Sequence, residues 1–198
     1  MDTANTATNA DTPQPDTAET AERYRERSAE FTRRVEGVPE GRWESPTPCA
    51  GWTARDLLRH MIDNHTNMPG HVGIAIDLRI RVEDDPVAAW HEARTALQEV
   101  LDDPEQAATE FDGYFGRTSL ARTIDDFLGF DLVVHAWDLA RATGQDETLP
   151  AAEVARVFES ARQLGETLRM EGVCGPEVSV PESASEQDRM LAYLGRRP

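Results

Sequence analysis

The stretch DDFLGFDLVVHAWDLARATG, residues 125–144, has the apolar content of a core helix, yet it carries Asp131, His135 and Asp138. An ionised carboxylate buried without a partner is very costly, so such a helix needs hydrogen-bonded partners or a metal for its polar groups. At 100° per residue Asp131, Val134, His135 and Asp138 fall on one side, with Phe127 and Ala142 extending the same stripe. Asp131 and His135, at i and i+4, are neighbours on that surface. A carboxylate and an imidazole so placed can ligate one ion, as in metal sites of bundle cores. The same spacing fits a buried Asp–His hydrogen bond, and Asp138 could equally pair with Arg141 on the surface.

The rest of the chain supplies the helices against which this one would pack. Residues 1–17 hold almost no large apolar group and are expected to form a disordered leader. A helical pattern runs from about Ala18 to Val38, with Tyr24, Phe31 and Val35 on one face, and Gly37 and Pro39 end it. The segment EGRWESPTPCAGW is turn chemistry, and its two tryptophans imply a loop packed down on the core. Thr53 caps a second helix to about Asn67, with Asp56 in the place of the capping-box Glu. HVGIAIDLR is read as a further short helix. Pro86 after Asp85 opens a third long helix to about residue 102.

Residues 103–117 read as a loop with a short extended piece, and the fourth long helix spans Ser119 to Thr143, stopped by Gly144. Pro150 opens a fifth to about Met170. GVCGPEVSVPESA is an irregular tail, and a short helix over about 185–195 follows it. No strand pattern or internal repeat stands out. The expected architecture is all-α, an antiparallel four-helix bundle with extra short helices and an irregular C-terminal tail, in one domain over residues 18–198.

A formal net charge of −17 argues against nucleic acid and against an anionic membrane surface, since both need a basic footprint. A small-molecule substrate is the expected partner; the sequence leaves the oligomeric state open, a homodimer being one option because bundles with large apolar faces commonly dimerise. No apolar run approaches a membrane span, and no secretory signal pattern opens the chain. Two cysteines, Cys49 and Cys174, make no disulfide framework, so a reduced cytoplasmic setting is expected. Cys49 lies just before a helix N-terminus, where a thiolate is favoured, but it reads more simply as a small buried residue.

A metal on the fourth helix would need a ligand from another element, and His60, His65, His71 and His91 are available. Periodicity places His65 with Leu57, Leu58, Met61 and Ile62 on the apolar side of the second helix. His60 sits at the edge of that sector beside Leu57 and Asn64. Helix geometry leaves the choice open. His91 reads as a boundary residue, and His71 lies in a Pro-Gly interruption.

SPTPCAGWTARDLLRHM, DLVVHAWDLARATG and the tail GPEVSVPESASEQDRMLAYLGRRP together resemble the DinB-like superfamily. Within it they are most similar to the N-terminal domain of mycothiol-dependent maleylpyruvate isomerases and its actinobacterial single-domain relatives, over roughly residues 20–198. The resemblance implies a four-helix bundle with a divalent metal in its core. The ligands would be a His of the second helix and a carboxylate–His pair of a later one, which fall on His60, Asp131 and His135. His65, Asp138 and Asn64 then become residues that would orient a ligand or line the substrate pocket. The isomerases carry Glu where this chain has Asp131, and a C-terminal domain for which this chain has no room. The implied metal is zinc first, with nickel or iron as alternatives, and the implied co-substrate is mycothiol. The favoured chemistry is thiol transfer or thiol-assisted isomerisation on a small molecule, with no catalytic acid or base assigned. A metal-dependent hydrolase or cyclase, or a non-catalytic bundle binding metal or a small molecule, are the alternatives.

Overall fold

Side-chain caps set where the long helices begin. The computed structural model describes residues 16–170 and 173–198. In it the Asp16 carboxylate accepts from Ala18 N and opens α1, Thr17–Glu36. Asp16 and Thr17 therefore belong to the helix rather than to the expected leader, whose residues 1–15 lie outside the described residues. Thr53 and Asp56 form a reciprocal capping box on α2, Ala54–Gly70, and the Asp85 carboxylate caps α3, Pro86–Asp102. After α4, Pro104–Ala107, comes a hairpin of β1, Glu110–Gly113, and β2, Gly116–Ser119, with Glu110 opposite Ser119. Then follow α5, Leu120–Thr123, and α6, Gly129–Thr143, which ends at Gly144 with φ +76. The chain finishes with α7, Ala151–Leu164, and α8, Glu186–Tyr193.

The four long helices close a ring in which α1 and α2 each pack against both α3 and α6. Helices α1 and α2 therefore face each other across one diagonal, and α3 and α6 across the other. Phe31, Leu57, Leu58, Met61, Trp90, Leu97, Leu132 and Trp137 fill the centre, all essentially inaccessible to water. Burial of side chains of this size contributes roughly 1.5–3 kcal/mol each. Phe31 meets Trp90 edge-on at 4.8 Å between ring centres. The Trp90 indole N–H donates to Thr32 Oγ1 at 2.8 Å, which satisfies a polar group that burial would otherwise strand. Helix α7 packs on α6, and α8 packs on α7.

The structure departs from the sequence reading wherever the period changes. HVGIAIDLR is not helical: Gly73 turns the chain at φ +78. Beyond it Ile74, Ile76 and Leu78 alternate half-buried with exposed neighbours and pack against the core. That is a period of two, not 3.6. The β1–β2 hairpin is a strand pair where none was expected, made of short, half-exposed strands with little apolar alternation. The fourth long helix runs over 120–143 as expected, but it is not α-helical throughout. A wide turn occupies Ile124–Leu128, with Gly129 N bonded to Ile124 O. Its extra residue rotates everything upstream relative to α6. Phe127 is accordingly 40% exposed and stacks on Phe115 of the hairpin instead of joining the Asp131 stripe. Helix α7 ends six residues early at Gly165, φ +51, and a single 3-10 turn follows.

Candidate metal centre

The loop before α2 builds one wall of the site. Gly51 adopts φ +80, a conformation that costs a side-chain-bearing residue but not glycine. This lets Trp52 N reach Cys49 O at 3.0 Å, while Thr47 N and Thr47 Oγ1 both donate to Trp52 O at 2.9 Å. A bridge between Pro46 and Thr53 closes the loop onto the helix start. Trp52 is thereby held over two imidazoles, with ring centres 4.9 Å from His60 and 6.3 Å from His135.

His60 of α2 and Asp131 and His135 of α6 converge beneath that indole. Their ligand-type atoms all lie within 4.8 Å of one another, and His60 Nε2 is 3.6 Å from Asp131 Oδ2. The Asn64 amide nitrogen donates to both, at 3.1 Å to His60 Nε2 and 3.3 Å to Asp131 Oδ2. Two lone pairs thus already point at one electropositive group. The His60 and Asp131 side chains are 32% and 29% exposed, whereas His135 is 9% exposed. The cluster is closed at His135 and open at His60 and Asp131, the pattern of a site with open coordination positions.

Behind the cluster lies a second, different one. His135 Nδ1 is 2.9 Å from Asp138 Oδ2, and Asp138 is fully buried. Burial pushes the Asp138 carboxyl up, but the His135 hydrogen bond and the Arg196 charge outweigh it and hold it at about 2. A carboxylate only accepts, so Nδ1 carries the proton and His135 Nε2 keeps its lone pair for the front of the site. Arg196, reaching in from beyond α8, donates to Asp138 through Nη2 at 2.8 Å and Nε at 3.3 Å. The Cys49 thiol donates to Asp138 Oδ2 at 3.4 Å. Cys49, His135 and Asp138 could hold a metal by distance, but Arg196 already supplies the cation there. Among the described residues no such cation pairs with the front trio, which fits a divalent ion: two imidazole nitrogens and one carboxylate oxygen from two helices.

The structure therefore brings together His60, Asn64, Asp131, His135 and Asp138. His65 it does not bring in. That side chain is buried between Tyr24 and Trp90, with Nδ1 2.6 Å from the Met61 carbonyl. His71 stacks on Phe111 and His91 pairs with Glu36, both away from the cluster. Sequence reasoning missed Arg196, Trp52 as a wall, and the contact of Cys49 with Asp138. A Gly-Arg following a short helix was the signal for the first, and the tight PTPCAGW loop for the others.

A family model for the mycothiol maleylpyruvate isomerase N-terminal domain matches residues 24–140. The chain belongs to that family. The matched span holds His60, Asp131, His135 and Asp138 but stops short of Arg196. Two uncharacterised proteins of Mycobacterium tuberculosis, from strains H37Rv and CDC 1551, are each 29% identical over 153 residues. The alignments cover 76% of this chain and 83% of each relative. No solved structure matches the chain. Among the described residues no helix is long and apolar enough to cross a membrane.

Proposed function

We propose that this family member is a divalent-metal-dependent enzyme that activates a low-molecular-weight thiol of the mycothiol class for transfer or isomerisation on a small molecule. The observation that carries the reading is the convergence of His60, Asp131 and His135 within 4.8 Å, with His135 Nδ1 held from behind by Asp138. A divalent ion in this set would supply Lewis acidity, favouring a thiolate or hydroxide at neutral pH. Two imidazoles and a carboxylate suit zinc, nickel or iron alike, since metal availability rather than this ligand set decides among them.

The chain's own groups supply the rest. Trp52 walls one side of the site, its ring against both imidazoles. His60 and Asp131 face the opening, where a small molecule enters. The Cys49 thiol is engaged as a donor to Asp138 Oδ2, and burial, and then Asp138, push it up to about 12. A thiol supplied from outside agrees with the mycothiol association of the family.

Metal analysis of the purified chain is the first test. About one divalent ion per chain is expected, with none in His135→Ala or His60→Ala. Equal and negligible metal in all three after reconstitution refutes the metal centre. The loaded protein is then incubated with mycothiol and small electrophiles, and thiol adducts are sought by mass spectrometry. Bound metal without adducts would instead favour a hydrolase, a cyclase or a non-catalytic binder.

A further inference from the structure

The backbone on both sides of Arg196 is held in place. Helix α8 closes in a Schellman arrangement: Gly195 N bonds to Ala192 O at 3.0 Å and Arg196 N to Leu191 O at 2.9 Å. Gly195 sits at φ +81, and a Cβ there would lie 2.9 Å from Gly175 backbone atoms. The tail is pinned on both sides of that contact. Arg169 donates to Gly175 O at 2.6 Å and Tyr193 O at 2.7 Å, and Arg141 donates to Arg197 O at 2.7 Å. The chain thus leaves α8 in one direction, and the Arg196 side chain points inward.

There the guanidinium, its side chain only 10% exposed, grips both Asp138 oxygens. Nη1 also bonds Leu194 O at 3.0 Å, and the Cys49 and Cys174 sulfurs lie 3.7 and 3.9 Å away. A planar fork holding both oxygens of a carboxylate fixes its plane as well as its place. Asp138 in turn has one strong partner on α6, the Nδ1 proton of His135.

We propose that Arg196 is a positioning residue for the metal centre: by clamping Asp138 it fixes the ring orientation and the Nδ1–H tautomer of His135, so that Nε2 faces His60 and Asp131. The C-terminal tail thereby becomes part of the metal site without touching it. This rests on the metal-centre reading. Partners of this kind, behind a ligating histidine, are typically worth roughly 10–100-fold in metal affinity.

The test uses Arg196→Met, Arg196→Lys, Gly195→Ala and Asp138→Asn in the full chain. Long-range ¹H–¹⁵N correlation of the imidazoles in chelated protein reads the His135 tautomer, and zinc affinity is read by competition with a chromophoric chelator. Wild type is expected in the Nδ1–H form. Arg196→Met is expected to lose that single tautomer and roughly 10–100-fold in zinc affinity. Arg196→Lys should fall between, since it keeps the charge and loses the fork. Gly195→Ala, which moves Arg196 without removing it, should act in the same direction. Adding Arg196→Met to Asp138→Asn should cost little more than Asp138→Asn alone, because the two act through one contact. An unchanged tautomer and affinity in Arg196→Met overturns the proposal, as does the Nε2–H form in wild type. The tautomer is read without metal, so a chain that binds none refutes the metal centre while this measurement still decides the role of Arg196. If Arg196→Met does not fold, the lysine and Gly195→Ala variants decide it by the same two readouts.

Discussion

Helix α2 carries two histidines five residues apart, and burial silences one of them as a base. His65 lies wholly out of solvent, and burial pushes its imidazole from an ordinary 6.5 down to about 4, against the opposing pull of the Met61 carbonyl and Asp131. Between those two values the unfolded chain binds a proton that the folded chain refuses. The associated stability is therefore complete above pH 6.5, falls as the pH drops toward 4, and is gone below that. At roughly 1.4 kcal/mol per pH unit, the full loss is about 3 kcal/mol. His65→Leu deletes the proton while keeping an apolar side chain of similar bulk against Trp90 and Tyr24. Urea unfolding followed by circular dichroism, from pH 7.5 to 4 in chelator, gives both stability curves. Histidines common to both chains cancel in the difference. Wild type should lose about 3 kcal/mol relative to the variant across that window. Parallel curves would refute the reasoning, since they would mean that the buried imidazole accepts a proton as readily as a solvated one.

Two further substitutions test how the helices that carry the site are held. Thr53→Ala removes the hydroxyl half of the α2 capping box, the bond from Asp56 N to Thr53 Oγ1 and the 2.7 Å bond from Oγ1 to Asp56 Oδ2, while the backbone N–H of residue 53 keeps Asp56 Oδ2, and should cost about 1 kcal/mol in urea unfolding. A cost near zero would mean that the loop, not the cap, fixes the start of α2. Gly129→Ala should gain about 1 kcal/mol of helix propensity, yet its Cβ would lie 2.6 Å from Nη1 of Arg27. That guanidinium is buried and already pinned by Asp125 and Glu153, so the expected net effect is a loss of about 1–2 kcal/mol. A more stable variant would show that Arg27 is free to move.

What could be read from the sequence was whatever depends on one helix and its solvent boundary. The caps at Thr53 and Asp85, the left-handed stop at Gly144 and the buried face of Tyr24, Phe31 and Val35 are local, and each stands in the structure as expected. His65 as the more buried α2 histidine also followed from period alone. Period failed at residues 124–128, where one wide turn rotates Phe127 off the stripe it shares on paper with Asp131. It failed again at 72–78, because four half-buried side chains at spacing two serve an extended segment as well as apolar content serves a helix.

The back of the site was illegible for a different reason. Nothing in DLVVHAWD says whether Asp138 faces water, a metal or a cation, because that is decided by Arg196, 58 residues further on. Asp131 and Asp138 are both carboxylates on one stripe of α6, and on spacing alone either could serve a metal beside His135. The structure separates them by what neutralises each. Asp138 has a buried guanidinium and no exposure, so it is spent as an anchor. Among the described residues Asp131 has the His60 and His135 imidazoles and the Asn64 amide nitrogen near it and is partly open, so its charge is still available. A buried carboxylate matched by a permanent cation is structural, and one matched only by neutral donors is where a divalent ion would be accepted. The question posed by an apolar helix with two acids thus has two answers on the same helix, one turn on either side of His135.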